Sequence, residues 1–156
     1  MHSFVSCRLD YCNTIMAVLP LCNIQRLQSV QNAAARLFGG VSKGSEVPVL
    51  RDDLHWLPIK QRIDLKIGVL SFKAINGLAS QYLVEMFTPV SANPALRCNR
   101  SADREDLIIQ TVKNMSYGCR SFAIAEPSFW NSLPVDLRRR SSLTQFKSKL
   151  KTHLFR

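Results

Sequence analysis

Nucleotide transfer by two metal ions needs carboxylates that converge on one point, so that both ions can bridge the reacting phosphate. The 11 acidic residues of this 156-residue chain show no such pattern. Asp52 and Asp53 precede Leu-His-Trp-Leu, where capping a helix is the more economical role. His55 has no motif beside it that supplies a nucleophile and an orienting partner, so it reads as a packed or hydrogen-bonded histidine at the start of a helix. The five cysteines (Cys7, Cys12, Cys22, Cys98 and Cys119) are odd in number and widely spaced, with no CxxC pair and no zinc spacing toward His2 or His153. Cys12 falls on an apolar helical stripe and reads as core. Cys119 reads the same way, although Arg120 beside it is compatible with an activated thiol. Glycine motifs for phosphate loops, dinucleotides and nucleophile elbows are missing. The sequence predicts no catalytic residue, no metal and no cofactor.

Basic side chains are the more prominent chemistry. Lysine and arginine number 21, giving a formal charge of +10, with +4 in residues 1–80 and +6 in residues 81–156. From Arg138 to Arg156 there are seven basic residues and no acidic one. Arg138, Arg139, Arg140, Lys147, Lys149 and Lys151 could hold phosphate oxygens of RNA or DNA, arginine through its fork of donors and lysine as a mobile point charge. The same residues could form a solvated face, or meet an anionic membrane or an acidic protein. Trp56, Phe129 and Trp130 could stack on bases, but apolar helices need such rings for packing.

Helices have to position these groups. Residues 6–19 read as a helix ended by Pro20, with Leu9, Cys12, Met16 and Leu19 on one face. Cys22–Phe38 gives the strongest helical signal. Its stripe is Ile24, Leu27, Val30, Ala34 and Leu37, with Asn23 as N-cap and Gly39-Gly40 as the stop. The run Ala33-Ala34-Ala35 leaves room for another helix to come close. A short helix or turn is expected over Pro48–Leu54. Pro58 then opens a long helix with the stripe Ile59, Ile63, Ile67, Leu70 and Ala74, widened by Leu65, Val69 and Phe72. Apolar on so much of its circumference, this helix belongs near the middle of the domain. Asn76-Gly77 ends it, and Ser80–Phe87 makes a short following helix.

Leu107 to Val112 is rich in β-branched residues and predicts a small hairpin or an edge-like strand. Cys119–Trp130 returns to helix, split or bent by Pro127, and Pro134 begins a short turn. Ser142 and Gln145 have capping-box spacing ahead of a last helix whose stripe is Leu143, Phe146, Leu150 and Leu154. The expected fold is mainly α, a helical bundle-like module with a short β hairpin around residues 96–113. It divides into a helical part (1–88), a loop with short strands (89–118) and a basic helical part (119–156). No stretch reaches the roughly 18 apolar residues of a membrane span. With no apolar signal core and with cysteines that read as reduced thiols, the cytoplasm or nucleus is the expected location.

Read in order, several stretches resemble one known region. They are RLDYCN at 8–13, QRLQSVQNAAARL at 25–37, DLHWLPIKQRIDLKI at 53–67, FKAINGLASQYL at 72–83, SYGCRSFAIAEPSFWNSLPVDLR at 116–138 and SLTQFKSKLKTHLF at 142–155. The chain resembles the C-terminal, thumb and post-thumb segment of reverse transcriptases from LINE-class non-LTR retrotransposons of the jockey and chicken-repeat kind. Cys7 and Ser80 depart from the family, which often has a small hydroxyl residue and a proline there. The resemblance implies that residues 1–88 are thumb-like, that the chain derives from an RNA-directed DNA polymerase, and that a palm domain is a partner. The palm's Tyr-x-Asp-Asp motif is missing, so no catalytic residue carries over. A chain of this extent looks like a relic or a partial gene.

Two functions follow as expectations. One is a noncatalytic fragment that supports the polymerase or contacts template–primer phosphates. The other is a helical structural or protein-interaction relic with no retained nucleic-acid role.

Overall fold

Pro58 and the isoleucines that follow it set the helix on which the others pack. The computed structural model describes residues 2–17, 19–39, 56–93, 104–110, 122–139 and 142–155. In chain order its helices are α1 (His2–Asp10), α2 (Leu21–Gly39), α3 (Ile59–Ile75), α4 (Gln81–Met86), α5 (Phe122–Ser132), α6 (Val135–Arg138) and α7 (Leu143–Leu154). Short 3-10 turns lie at Asn13–Met16 and Val90–Ala92. α3 contacts α1, α2, α4, α5, α7 and the turn at 13–16.

Both ends of α3 are fixed by identifiable bonds. Pro58 precedes its first turn and has no side chain to cap the free N–H groups. A neighbouring helix does so instead: Gln28 Oε1 accepts from the Ile59 N–H at 2.9 Å. Buried Gln31 donates to the Leu57 carbonyl at 2.8 Å, and Gln28 Nε2 donates to Gln31 Oε1 at 2.9 Å. At the other end Gly77 has φ +67°, a left-handed conformation that glycine adopts without a Cβ penalty. Leu78 N–H then bonds the Lys73 carbonyl at 2.7 Å and Gly77 N–H the Ala74 carbonyl at 3.2 Å, the paired bonds of a Schellman stop.

Two apolar clusters flank α3. Ile59, Ile63 and Ile67 pack with Ile24, supported by Leu9, Met16 and Leu27. Phe72 and Ala74 pack with Phe87, Leu107, Trp130, Leu133, Leu137, Phe146 and Leu150, so one core draws on all three sequence regions. Phe72 stacks on Phe146 at 4.6 Å between ring centroids. Gly68 sits against Leu150, where an added Cβ would lie 2.6 Å from Leu150 Cδ2 and 3.2 Å from Phe129. Since position 68 meets 150 and 72 meets 146, α3 and α7 run antiparallel.

One carboxyl group is enclosed in this core. Glu126 on α5 is fully buried, and the Ser71 hydroxyl on α3 donates to its Oε1 at 2.9 Å. Ser71 Oγ also lies 3.1 Å from the Ile67 carbonyl, so two acceptors compete for one proton. Burial pushes the Glu126 carboxyl up from 4.5 to about 8, against the lowering effect of the Ser71 bond. At neutral pH the neutral acid prevails.

Several sequence expectations are corrected. The β hairpin expected around residues 96–113 is not found in residues 104–110, the part of that range the structure describes. Among the described residues there is no strand, only an isolated antiparallel bridge between Pro89 and Leu107. Val90 N–H bonds the Asp106 carbonyl and Ile108 N–H the Thr88 carbonyl, each at 2.9 Å. On the opposite edge the Asn131 amide accepts from Leu107 N–H at 2.8 Å and donates to its carbonyl at 2.9 Å. A side chain thus takes the place of a second strand. Residues 96–103 and 111–113 of that range lie outside the described residues.

The helix expected over 6–19 ends at Asp10, because Cys12 turns to φ 51°, and Cys12 is exposed rather than core. α2 begins at Leu21, so Asn23 lies inside it. The Pro20 carbonyl instead accepts from the Asn23 N–H at 3.0 Å. Pro127 lies inside α5 without dividing it. Ser142 makes no side-chain cap; its hydroxyl pairs with that of Thr144 at 2.8 Å. The short helix or turn expected at Pro48–Leu54 lies outside the described residues.

Two stability predictions follow from the core. Gly68→Ala gains helix propensity of about 1 kcal/mol but forces Leu150 and Phe129 apart, so denaturant unfolding should show a net loss of roughly 1 kcal/mol or more. In a Leu150→Ala background the loss should shrink or vanish, as the closer of the two contacts is gone and Phe129 has room to give. For Glu126, the folded chain holds a proton that the unfolded chain releases from about pH 4.5. Its contribution is therefore full below that pH and declines by up to ~1.4 kcal/mol per pH unit until about 8. Glu126→Gln should flatten this decline in thermal unfolding and raise stability relative to the native chain at pH 8.

Candidate functional site: a lysine groove between α3 and α7

The packing of α3 against α7 leaves a groove of about 660 Å³ along one side of the pair. On α3, Arg62, Lys66, Val69 and Lys73 follow at intervals of four, three and four residues and so share one face. Lys147, Ser148 and Lys151 line the groove from α7, Leu65 and Val69 form its apolar floor, and Leu70 lines it beyond the Lys66–Lys73 edge. With the helices antiparallel, Lys66 stands level with Lys151 and Lys73 level with Lys147. Lys66, Lys147 and Lys151 are exposed and Lys73 is half-buried.

One end of the groove is closed by a structural ion pair. Arg62 grips Asp10 at the end of α1 through two nitrogens, with Nε donating to Oδ1 at 2.8 Å, and so ties α1 to α3. Asp10 is the only carboxylate among the lining residues, and this bond already engages it. Among the described residues, none of the four lysines lies within 4.0 Å of a carboxylate. The groove therefore carries an excess of positive charge over an apolar floor.

The structure separates the six basic residues singled out from sequence. Arg138 is buried, and its guanidinium bonds Asp106, which Arg104 also contacts at 3.1 Å. This arginine ties α6 to the segment that replaces the hairpin. Arg139 is exposed, and Arg140 lies outside the described residues. Lys149 projects from the flank of α7 opposite Lys147 and Lys151. Of the described ones, Lys147 and Lys151 line the groove. Their partners Lys66 and Lys73 lie on α3, whose apolar stripe reads as that of a core helix. The signal was present in the four- and three-residue spacing from Arg62 to Lys73, but nothing in sequence says which helix faces it.

The other candidates resolve as follows. Trp56 and Trp130 are buried, Trp130 donating from its indole N–H to the Glu105 carbonyl at 3.1 Å, and Phe129 packs against the core. Cys7, Cys12 and Cys22 are exposed free thiols. Asp52, Asp53, His55, Cys98 and Cys119 lie outside the described residues. Among the described residues, no group of three or more His, Cys, Asp or Glu side chains could hold a metal ion. No described helix is long and apolar enough to cross a membrane.

The burial of Arg138 can be tested directly. Arg138→Ala should cost roughly 3 kcal/mol in denaturant unfolding, because it leaves Asp106 enclosed without its main partner. Lys149→Glu should leave the unfolding midpoint unchanged. Comparison with protein-family models gives no match, and comparison with curated proteins and with solved structures gives none either.

Proposed function

We propose that the chain is a noncatalytic helical module that works by docking against other protein surfaces. The observation that carries this reading is the apolar surface left open on α2 and the turn before it. Val30 is 55% and Leu37 84% exposed, and with Ala33 they share one face of α2. Tyr11, Ile15 and Leu21 add exposures of 76%, 81% and 70% nearby in sequence. Val30, Ala33 and Leu37, exposed together on one helix face, favour association. The noncatalytic part of the reading draws support from four of the seven described carboxylates: Asp10, Asp64 and Asp106 are held in ion pairs, and Glu126 is enclosed in the core. The three free thiols suit a reducing compartment, cytoplasm or nucleus.

A second reading is favoured by the formal charge of +10 and by the ordered sequence resemblance. It is a fragment derived from a retrotransposon reverse transcriptase that touches template–primer phosphates. Binding to duplex or primer–template should then weaken steeply as salt rises, and no binding at low salt would dismiss it.

Sedimentation tests the main reading. The chain, alone over a concentration series and mixed with a reconstructed polymerase portion, should associate in at least one setting. Val30→Lys with Leu37→Lys should abolish that association while leaving helical content and unfolding midpoint unchanged, since both positions are exposed. A monomer under every condition would overturn it.

A further inference from the structure

We propose that the groove between α3 and α7 docks an acidic amphipathic helix of a partner protein. Its apolar stripe would lie on Leu65 and Val69, and its carboxylates between Lys66 and Lys73 on one rim and Lys147 and Lys151 on the other. This deepens the reading of the chain as a protein-docking module, but uses a face distinct from Val30 and Leu37.

Charge and shape select this occupant. The lysine heads stand on both rims, unpaired with any described carboxylate, so the missing charge is negative and lies along two parallel lines. Lys66 and Lys73 are two helical turns apart, roughly 10 Å, and Lys147 and Lys151 one turn, about 6 Å. A helix bearing Glu or Asp at three- and four-residue intervals on both flanks matches those steps. Between the rims the floor is aliphatic, which a phosphate backbone has no use for. A single strand of nucleic acid gains much of its affinity by stacking on aromatic rings, and no aromatic residue lines this groove. An apolar face set between two acidic edges uses both floor and rims, the helix-in-groove mode of recognition.

The test uses the full chain and a labelled peptide of about 15 residues, near the length at which an isolated helix becomes marginally stable. The peptide carries leucines at i, i+4 and i+7 with glutamates on both flanks, and binding is read by fluorescence anisotropy. It should bind, and a scrambled peptide of the same composition should bind roughly tenfold more weakly or less. Lys66→Glu with Lys151→Glu, both at exposed positions, should cost roughly tenfold or more, with Lys149→Glu as an unaffected control. A peptide with lysines in place of the glutamates should recover binding to the doubly reversed chain.

Equal binding of the scrambled peptide would overturn the proposal, as would no binding at low salt. So would a single-stranded or duplex oligonucleotide that binds more tightly and depends on the same two lysines, which would assign the groove to phosphates. Because Val30 and Leu37 are untouched in these variants, failure here leaves the α2 sedimentation result standing, and failure there leaves this one.

Discussion

A helix enclosed on nearly every side imposes its surface on everything that touches it, and α3 is in that position. Its isoleucines receive α2 on one side, and Phe72 with Ala74 receives α4, α5 and α7 on another. The absence of a side chain at Gly68 lets Leu150 and Phe129 approach the backbone, which brings α7 close enough for Phe72 and Phe146 to stack. Enclosure also removes water from polar groups near α3, so each needs a partner. Gln28 and Gln31 meet the backbone at its start, and Ser71 meets Glu126 at its centre.

The same packing sorts the positive charges by chemistry. Arg62 and Arg138 are drawn into pairs with Asp10 and Asp106 that bind separate segments together. A guanidinium is planar, weakly hydrated and able to bond a carboxylate through two nitrogens, so it tolerates partial burial. An ammonium is strongly hydrated and keeps to the surface on its flexible stem. Lys66, Lys73, Lys147 and Lys151 accordingly remain at the groove. Four lysines from two distant stretches of sequence thus come together at the groove, while Arg138 is withdrawn into the core.

Two surfaces of different character result. One is the apolar side of α2, and the other is a cationic groove with an aliphatic floor. Neither surrounds a buried reactive group, since the perturbed carboxyl of Glu126 is sealed in the core away from both. Surfaces of this kind recognise other macromolecules by shape and charge, which is why the proposed role is docking.

The sequence by itself determined which segments become helices, that the helix after Pro58 is central, and that Phe146 and Leu150 face inward. These follow from local sterics and from spacing along one chain. It misjudged α2, where Val30 and Leu37 are exposed while Gln31 is buried, because an apolar count does not register a glutamine that bonds a neighbour's backbone. It placed a strand where the Asn131 amide supplies the pairing, and a phosphate contact where Arg138 meets Asp106. Tertiary structure alone decided those matters, along with the meeting of Lys66 and Lys73 with Lys147 and Lys151. Charge and hydrogen-bond partnership depend on separation in space, and residues some eighty positions apart acquire that separation only when α3 and α7 pack.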